Sequence, residues 1–312
     1  MASPKTVGSR IWLFARVCFP VLAFWYLSRR LDAAAMRDSL SQITVFTALC
    51  CFFGVAGAIG SGMVRWRLLM RAYGARSLPS WLTCTRLFLI GAFYNLLPGA
   101  VGGDLVRAYA VRDRFDAGVT QSIGVVFVER VLGMAALLAL TAASAVLNPS
   151  LSGPVLIYAL LGMVGAALII ALVAVARRLG PRLPARLAQI LTRFPVLTDG
   201  GPFALAALVS IGTHVSIALG GHALIASLSP NVTLADSLVI FPLGTLAAYF
   251  PATVAGAGAR DAALVVLFER IGVARADALT TSLALLASNI AVASLGGVLH
   301  ALWRGEEQTP SE

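Results

Sequence analysis

The sequence predicts an all-α polytopic membrane protein: about six full spans plus two re-entrant broken-helix hairpins, arranged as inverted repeats. Three observations carry that expectation. Of 312 residues, 59% are hydrophobic and only 12% charged, with mean hydropathy +0.87, whereas water-soluble domains carry about 25% charge. Apolar runs close to the ~20 residues that cross a bilayer recur along the whole length. A Pro/Gly/Arg pattern that interrupts one of those runs also appears a second time.

The elements follow in order within a single integral membrane domain, 1–312. The first span, about 11–28, lies in IWLFARVCFPVLAFWYLSRR; its apolar run ends in SRRLD, not a small-residue cleavage site, so it reads as a retained helix and not a signal peptide. The second span covers about 43–64. Region 81–112 is apolar but broken by LLPGAVGGDLVR at 96–107. Spans at 119–147 and 154–176 lead into a basic loop, 177–200. A span at 203–228, a second broken region at 237–270 and a last span at 278–302 complete the domain, followed by the polar tail EEQTPSE.

Charge orients these elements. The net charge is +10, and Lys5 is the sole lysine among 24 basic residues. Arg65, Arg67, Arg71, Arg76 and Arg86 lie between the second span and the first break, or just inside the broken region. Arg107, Arg112 and Arg114 close that region, and Arg177, Arg178, Arg182, Arg186 and Arg193 fill the central loop. NPSLSGP (148–154) and SPNVTLAD (229–236) contain no basic residue. This is the positive-inside pattern and not a nucleic-acid surface. It places both termini in the cytoplasm of a bacterial plasma membrane, with the first hairpin entering from the cytoplasm and the second from the opposite face. Arg29, Arg30 and Arg37 run against the scheme, offset in part by Asp32 and Asp38.

The repeat aligns PGAVGGDLVR (98–107) with PATVAGAGAR (251–260), matching Pro98 with Pro251, Val101 with Val254, Gly103 with Gly256 and Arg107 with Arg260. Downstream, AGVTQSIG resembles ADALTTSLA, giving repeats of about 43–147 and 203–302. Inverted repeats whose broken helices lie near the midplane are a recurrent transporter design, with substrate bound at the breaks.

The residue types at the breaks fit that chemistry. Irregular backbone inside a bilayer is tolerated only when buried in protein or lining a wet cavity. Pro98 removes a donor; Gly99, Gly102 and Gly103, like Gly256 and Gly258 after Pro251, permit a sharp reversal and close backbone approach. Asp104 stands where an N-cap belongs, before LVRAYAV. A helix N-terminus suits an anion such as phosphate, and Arg107 and Arg260 add a guanidinium fork on each side. Glu129 and Arg130, in VFVERVLGM, fall near mid-depth of a span, where ionisable groups point to function. Adjacent residues do not face each other on a helix, so each needs its own partner: Asp104 or Asp261 for Arg130, Arg107 or Arg260 for Glu129. Asn289 takes the repeat position of Glu129, and Asn95 offers an amide to carbonyls freed at the first break. Trp12, Trp25, Trp66, Trp81 and Trp303 read as interfacial anchors. Cys18, Cys50, Cys51 and Cys84 lie in apolar stretches, and His214, His222 and His300 are scattered, so these read as packing residues; no metal site and no cofactor are expected.

With those residues in place, the chain resembles a known family. FLIGAFYNLLPGAVGGDLVRAYAV, SIGVVFVERVLGMAAL and FPATVAGAGARDAALVVLF look like the flippase-like transmembrane domain of lysylphosphatidylglycerol synthetase (the multiple peptide resistance factor) and its stand-alone relatives, over roughly 10–302. The resemblance implies movement of a phospholipid between leaflets and carries Asp104, Arg107, Glu129, Arg130, Arg260 and Asp261 as the binding residues. Family members often have Glu where Asp261 stands. Only about ten residues follow the last span, so the aminoacyl-transferring synthetase domain is not expected.

The expected function is therefore translocation of an anionic phospholipid or related lipid phosphate, with membrane lipids as partners and no catalytic residue. No GxxxxGK[ST] motif is present, so transport would be passive or coupled to an ion through Asp104, Glu129 or Asp261. Two alternatives stand beside it: a scaffold subunit of a lipid or glycolipid pathway, acting as a homodimer or with a lipid-synthesis partner, and a membrane-embedded lipid-phosphate enzyme. The latter lacks an aspartate-rich metal motif or HExxH.

Overall fold

The computed structural model describes residues 33–96, 102–146, 153, 157, 159–165, 194–248 and 258–302. The expected span at 11–28, most of that at 154–176, loop residues 177–193, and Pro98, Gly99, Pro251 and Gly256 lie outside them. Among the described residues every regular element is helical. They are α1 (Ala33–Ser41), α2 (Val45–Ala72), α3 (Trp81–Leu96), α4 (Gly102–Ala110), a 3-10 turn (Arg112–Arg114), α5 (Gly118–Val146), α6 (Gly200–Leu228), α7 (Leu234–Ala248), α8 (Ala259–Arg270) and α9 (Arg275–Leu302). Four of these, α2, α5, α6 and α9, are long and apolar enough to cross a membrane.

Local sequence explains the boundaries. Thr44 caps α2, accepting from the Thr47 backbone N–H while the Thr47 hydroxyl accepts from the Thr44 N–H. The helix then runs 28 residues, past the expected end at 64, because Trp66, Leu69, Met70 and Ala72 extend its buried face. Arg65, Arg67 and Arg71 are thus helical and not loop residues. The chain leaves the helix at Tyr73 and turns at Gly74, whose φ of 75° suits glycine.

Helix lengths follow one order twice. α2 to α5 have 28, 16, 9 and 29 residues; α6 to α9 have 29, 15, 12 and 28. The packing is reciprocal in the same sense: α3 lies on α9 and α7 on α5, while α2 touches α9 and α6 touches α5. The two leading helices, α2 and α6, run antiparallel, with Gly54 against Gly220, Gly57 against Ser216 and Ser61 near Gly212. At the crossing, a Cβ on Gly54 would sit 2.7 Å from the Gly220 Cα, so the backbones touch as small residues allow in membrane helix pairs.

The α3–α4 and α7–α8 pairs pack at opposite ends of α2. Both ends of the α3–α4 pair lie beside its C-terminal end: Arg67 Nε donates to the Pro79 carbonyl (3.2 Å), and the Arg76 N–H donates to the Arg114 carbonyl (2.9 Å). Around them Trp66, Leu69 and Met70 pack with Leu87, Ala108 and Val125. Cys51 and Val55, near the other end, pack instead with Phe241 of α7, Leu264, Val265 and Phe268 of α8 and Leu285 of α9. There the Ser229 and Ser39 hydroxyls donate to Asp277 (2.9 and 2.7 Å), joining the ends of α6 and α1 to the start of α9. Each short helix, α4 and α8, therefore begins between the two ends and runs outward.

Candidate functional site

The first site is built where α3 and α4 touch. A Cβ on Gly103 would come 2.0 Å from the Gly91 carbonyl oxygen and 2.7 Å from Asn95 Oδ1, so only glycine permits this approach. Asn95 thus lies beside the α4 backbone. Asp104 is the third residue of α4 and not an N-cap before it; its carboxylate is taken up by side chains.

Arg107, 4% exposed, reaches two carboxylates at once. Its Nη2 donates to Asp104 Oδ1 (2.6 Å) and its Nη1 to Glu129 Oε2 (3.2 Å). Its guanidinium carbon lies 4.1 Å from the Phe88 ring centre and 5.4 Å from that of Trp66, a cation–π arrangement that replaces part of the lost hydration. Trp66 is thereby a buried wall of the site and not an interfacial anchor. Glu129, 2% exposed, accepts on its other oxygen from Arg65 Nη2 (3.2 Å). Arg130 points the other way around α5 and donates from Nε to Asp104 Oδ2 (2.8 Å). The result is a continuous chain, Arg65–Glu129–Arg107–Asp104–Arg130, with three guanidiniums against two carboxylates and one net positive charge. Glu129 is eleven residues into α5, about 16 Å along it. Charges so buried persist only when paired.

Sequence reasoning assigned Arg65 to a cytoplasmic loop. A signal was present: WRLLM continues the apolar run beyond it, placing the arginine inside the helix.

The second site is smaller. Gly258, at φ 87°, precedes α8, and its N–H donates to Asp261 Oδ2 (3.0 Å). Arg260, 8% exposed, donates from Nη2 to Asp261 Oδ1 (3.1 Å), and the Ser282 hydroxyl of α9 donates to the same oxygen (2.5 Å). Arg and Asp balance there. Asn289 donates to the Leu285 carbonyl of its own helix (3.0 Å).

Among the described residues Arg107 and Arg260 share no partner. Arg107 connects through Glu129 to Arg65 of α2, whereas α8, which carries Arg260, packs through Leu264 and Val265 with Cys51 and Val55 of the same helix. Arg65 and Cys51 are fourteen residues apart, about 21 Å of helix. Among the described residues the two arginines belong to two clusters, one with a net positive charge and one balanced. Among the described residues no three His, Cys, Asp or Glu side chains gather to hold a metal ion.

The family described as lysylphosphatidylglycerol synthase TM region matches residues 11–297. No curated protein matches the chain.

Proposed function

The chain belongs to the lysylphosphatidylglycerol synthase TM region family, and from that premise we propose that this integral membrane protein moves an anionic phospholipid between leaflets. The observation that carries the proposal is Arg107: a guanidinium 4% exposed, inside apolar helices, in the last turn of a nine-residue helix whose first residues are Gly102 and Gly103. A charge in that position is costly unless it serves an anion or an ion path. The cluster around it keeps a net positive charge, which suits a phosphate diester. Arg260 and Asp261 form the corresponding site on the other hairpin.

The repeated order of helix lengths, the reciprocal packing and the antiparallel α2 and α6 support the inverted-repeat design, with α3–α4 and α7–α8 as re-entrant hairpins. Headgroups would be received at one break and released at the other, while acyl chains stay in lipid along the exposed apolar flanks, where Phe46, Phe53 and Leu208 project.

The test is movement of fluorescent phosphatidylglycerol across vesicles containing the purified chain. Arg107→Ala and Arg260→Ala are each expected to slow it by about tenfold or more, the effect of losing one charge-assisted contact. Wild-type rates in both variants would remove these residues from the path.

A further inference from the structure

His214 lies in the middle of α6 and is 4% exposed. Its Nε2 lies 2.9 Å from the Gly133 carbonyl oxygen; a carbonyl can only accept, so Nε2 carries the proton. Its Nδ1 is buried and has no partner among the described residues. Gly133 is one helical turn beyond Glu129 on α5, and Glu129 holds Arg65. Arg65, 9% exposed, itself has an unpartnered Nε, while its Nη2 holds Glu129. An orphaned acceptor and an orphaned donor thus stand beside the charged cluster. Buried polar atoms without partners are rare and ask for a reason. Helix packing accounts for the Nε2 contact but not for Nδ1.

We propose that His214 is a proton-binding site coupled to the headgroup site, taking up a proton at Nδ1 when an anionic lipid occupies the Arg65–Arg107 pair. This rests on the lipid-translocating function proposed above. The sign follows from Coulomb's law. With the site empty of lipid, the cluster carries one net positive charge, and Arg65 opposes a second charge on the imidazole. A phosphate diester neutralises that charge and so favours the imidazolium. By linkage, the proton then strengthens lipid binding by the same factor. Proton and anion would cross together, making the step electroneutral. Titratable groups face α6 from the helices packed on it. α2 contributes Arg65; α5 contributes Glu129, with Arg130 turned to Asp104. α7 and α9 contribute Asp236 and Asp277, which are held by Thr233 and by Ser39 and Ser229 near the far end of α6.

Two measurements on the full chain test this. In the first, vesicles of phosphatidylcholine with trace fluorescent phosphatidylglycerol are read with and without an imposed gradient of one pH unit. The wild-type rate ratio should depart from one, up to about tenfold, since one unit is a tenfold difference in proton activity; in His214→Gln it should return to one. An equal ratio in both proteins overturns the proposal. In the second, the double variant His222→Gln/His300→Gln leaves His214 as the sole histidine, and its ring is titrated by nitrogen NMR in nanodiscs. Its midpoint should rise when phosphatidylglycerol replaces phosphatidylcholine. An unmoved midpoint overturns the coupling. If the wild-type chain moves no lipid yet the midpoint rises, the translocation reading fails and the coupled proton site stands.

Discussion

Glu129 lies between Arg65 and Arg107, with one carboxylate oxygen 3.2 Å from a guanidinium nitrogen of each. The three come from α2, α4 and α5, so one carboxylate ties both long helices of the first half to the short helix after the break. It also occupies the fork that a phosphate oxygen pair would fill, and so acts as an internal counter-anion that a headgroup must displace.

Glu129→Gln keeps the shape and removes the charge. Arg65 then loses its carboxylate while Arg107 keeps Asp104 alone, and breaking a buried pair on one side costs about 3–5 kcal/mol. The variant should melt earlier in detergent, and it should retain more anionic lipid through gentle purification, by about tenfold on native mass spectrometry, because nothing competes with the lipid for the fork. Equal lipid retention would mean that the fork is not where the headgroup sits.

The glycine pair at the break separates two effects. A Cβ at Gly103 collides with the Gly91 backbone, whereas one at Gly102 meets nothing within 4 Å. Gly103→Ala must push α4 from α3 and carry Arg107 away from Glu129, at a cost of about 1–3 kcal/mol as for overpacking in other tight cores. Gly102→Ala should be neutral. Thermal unfolding and lipid movement, measured on both, should fall together for Gly103→Ala alone.

The membrane class, four long helices and both short helices were legible because apolar length and Pro/Gly interruption are local properties. So was the pairing of Arg107 with Glu129 and Arg130 with Asp104, one of two choices open for each, because adjacent charges on a helix must look to different neighbours. Arg65 was hidden by a rule that counts arginines near span ends as loop charges; whether α2 stops at 64 or at 72 depends on what Trp66 and Leu69 pack against. Nothing local marks the orphaned Nδ1 of His214, which is defined by Gly133 on another helix.

Asp261 combines three duties: counter-charge to Arg260, acceptor for the Gly258 N–H that starts α8, and acceptor for Ser282. Asp261→Asn removes the charge and leaves Arg260 buried with no carboxylate, so a loss of about 3 kcal/mol or more is expected. Ser282→Ala removes one neutral donor to a charged acceptor and should cost about 1.5–3 kcal/mol. Denaturation in mixed micelles ranks the two; a milder effect for Asp261→Asn would mean that Arg260 finds another anion.

Orientation is open to a direct labelling test. Arg71, Arg76, Arg112 and Arg114 crowd the end of the molecule where α2 stops and α5 begins, with the Arg76 guanidinium on Asp116 and that of Arg114 on Ser77. At the opposite end Asp236 and Asp277 are held by hydroxyls, and Glu269 is balanced by Arg275. The positive-inside rule then puts the arginine end in the cytoplasm. Ser77→Cys and Asn231→Cys place exposed thiols at the two ends, while Cys50, Cys51 and Cys84 lie within helices. A membrane-impermeant maleimide added to intact spheroplasts should label Asn231→Cys at once and Ser77→Cys only after permeabilisation. The reverse pattern would invert the protein in the membrane and, with it, the leaflet from which the charge-rich first site receives its lipid.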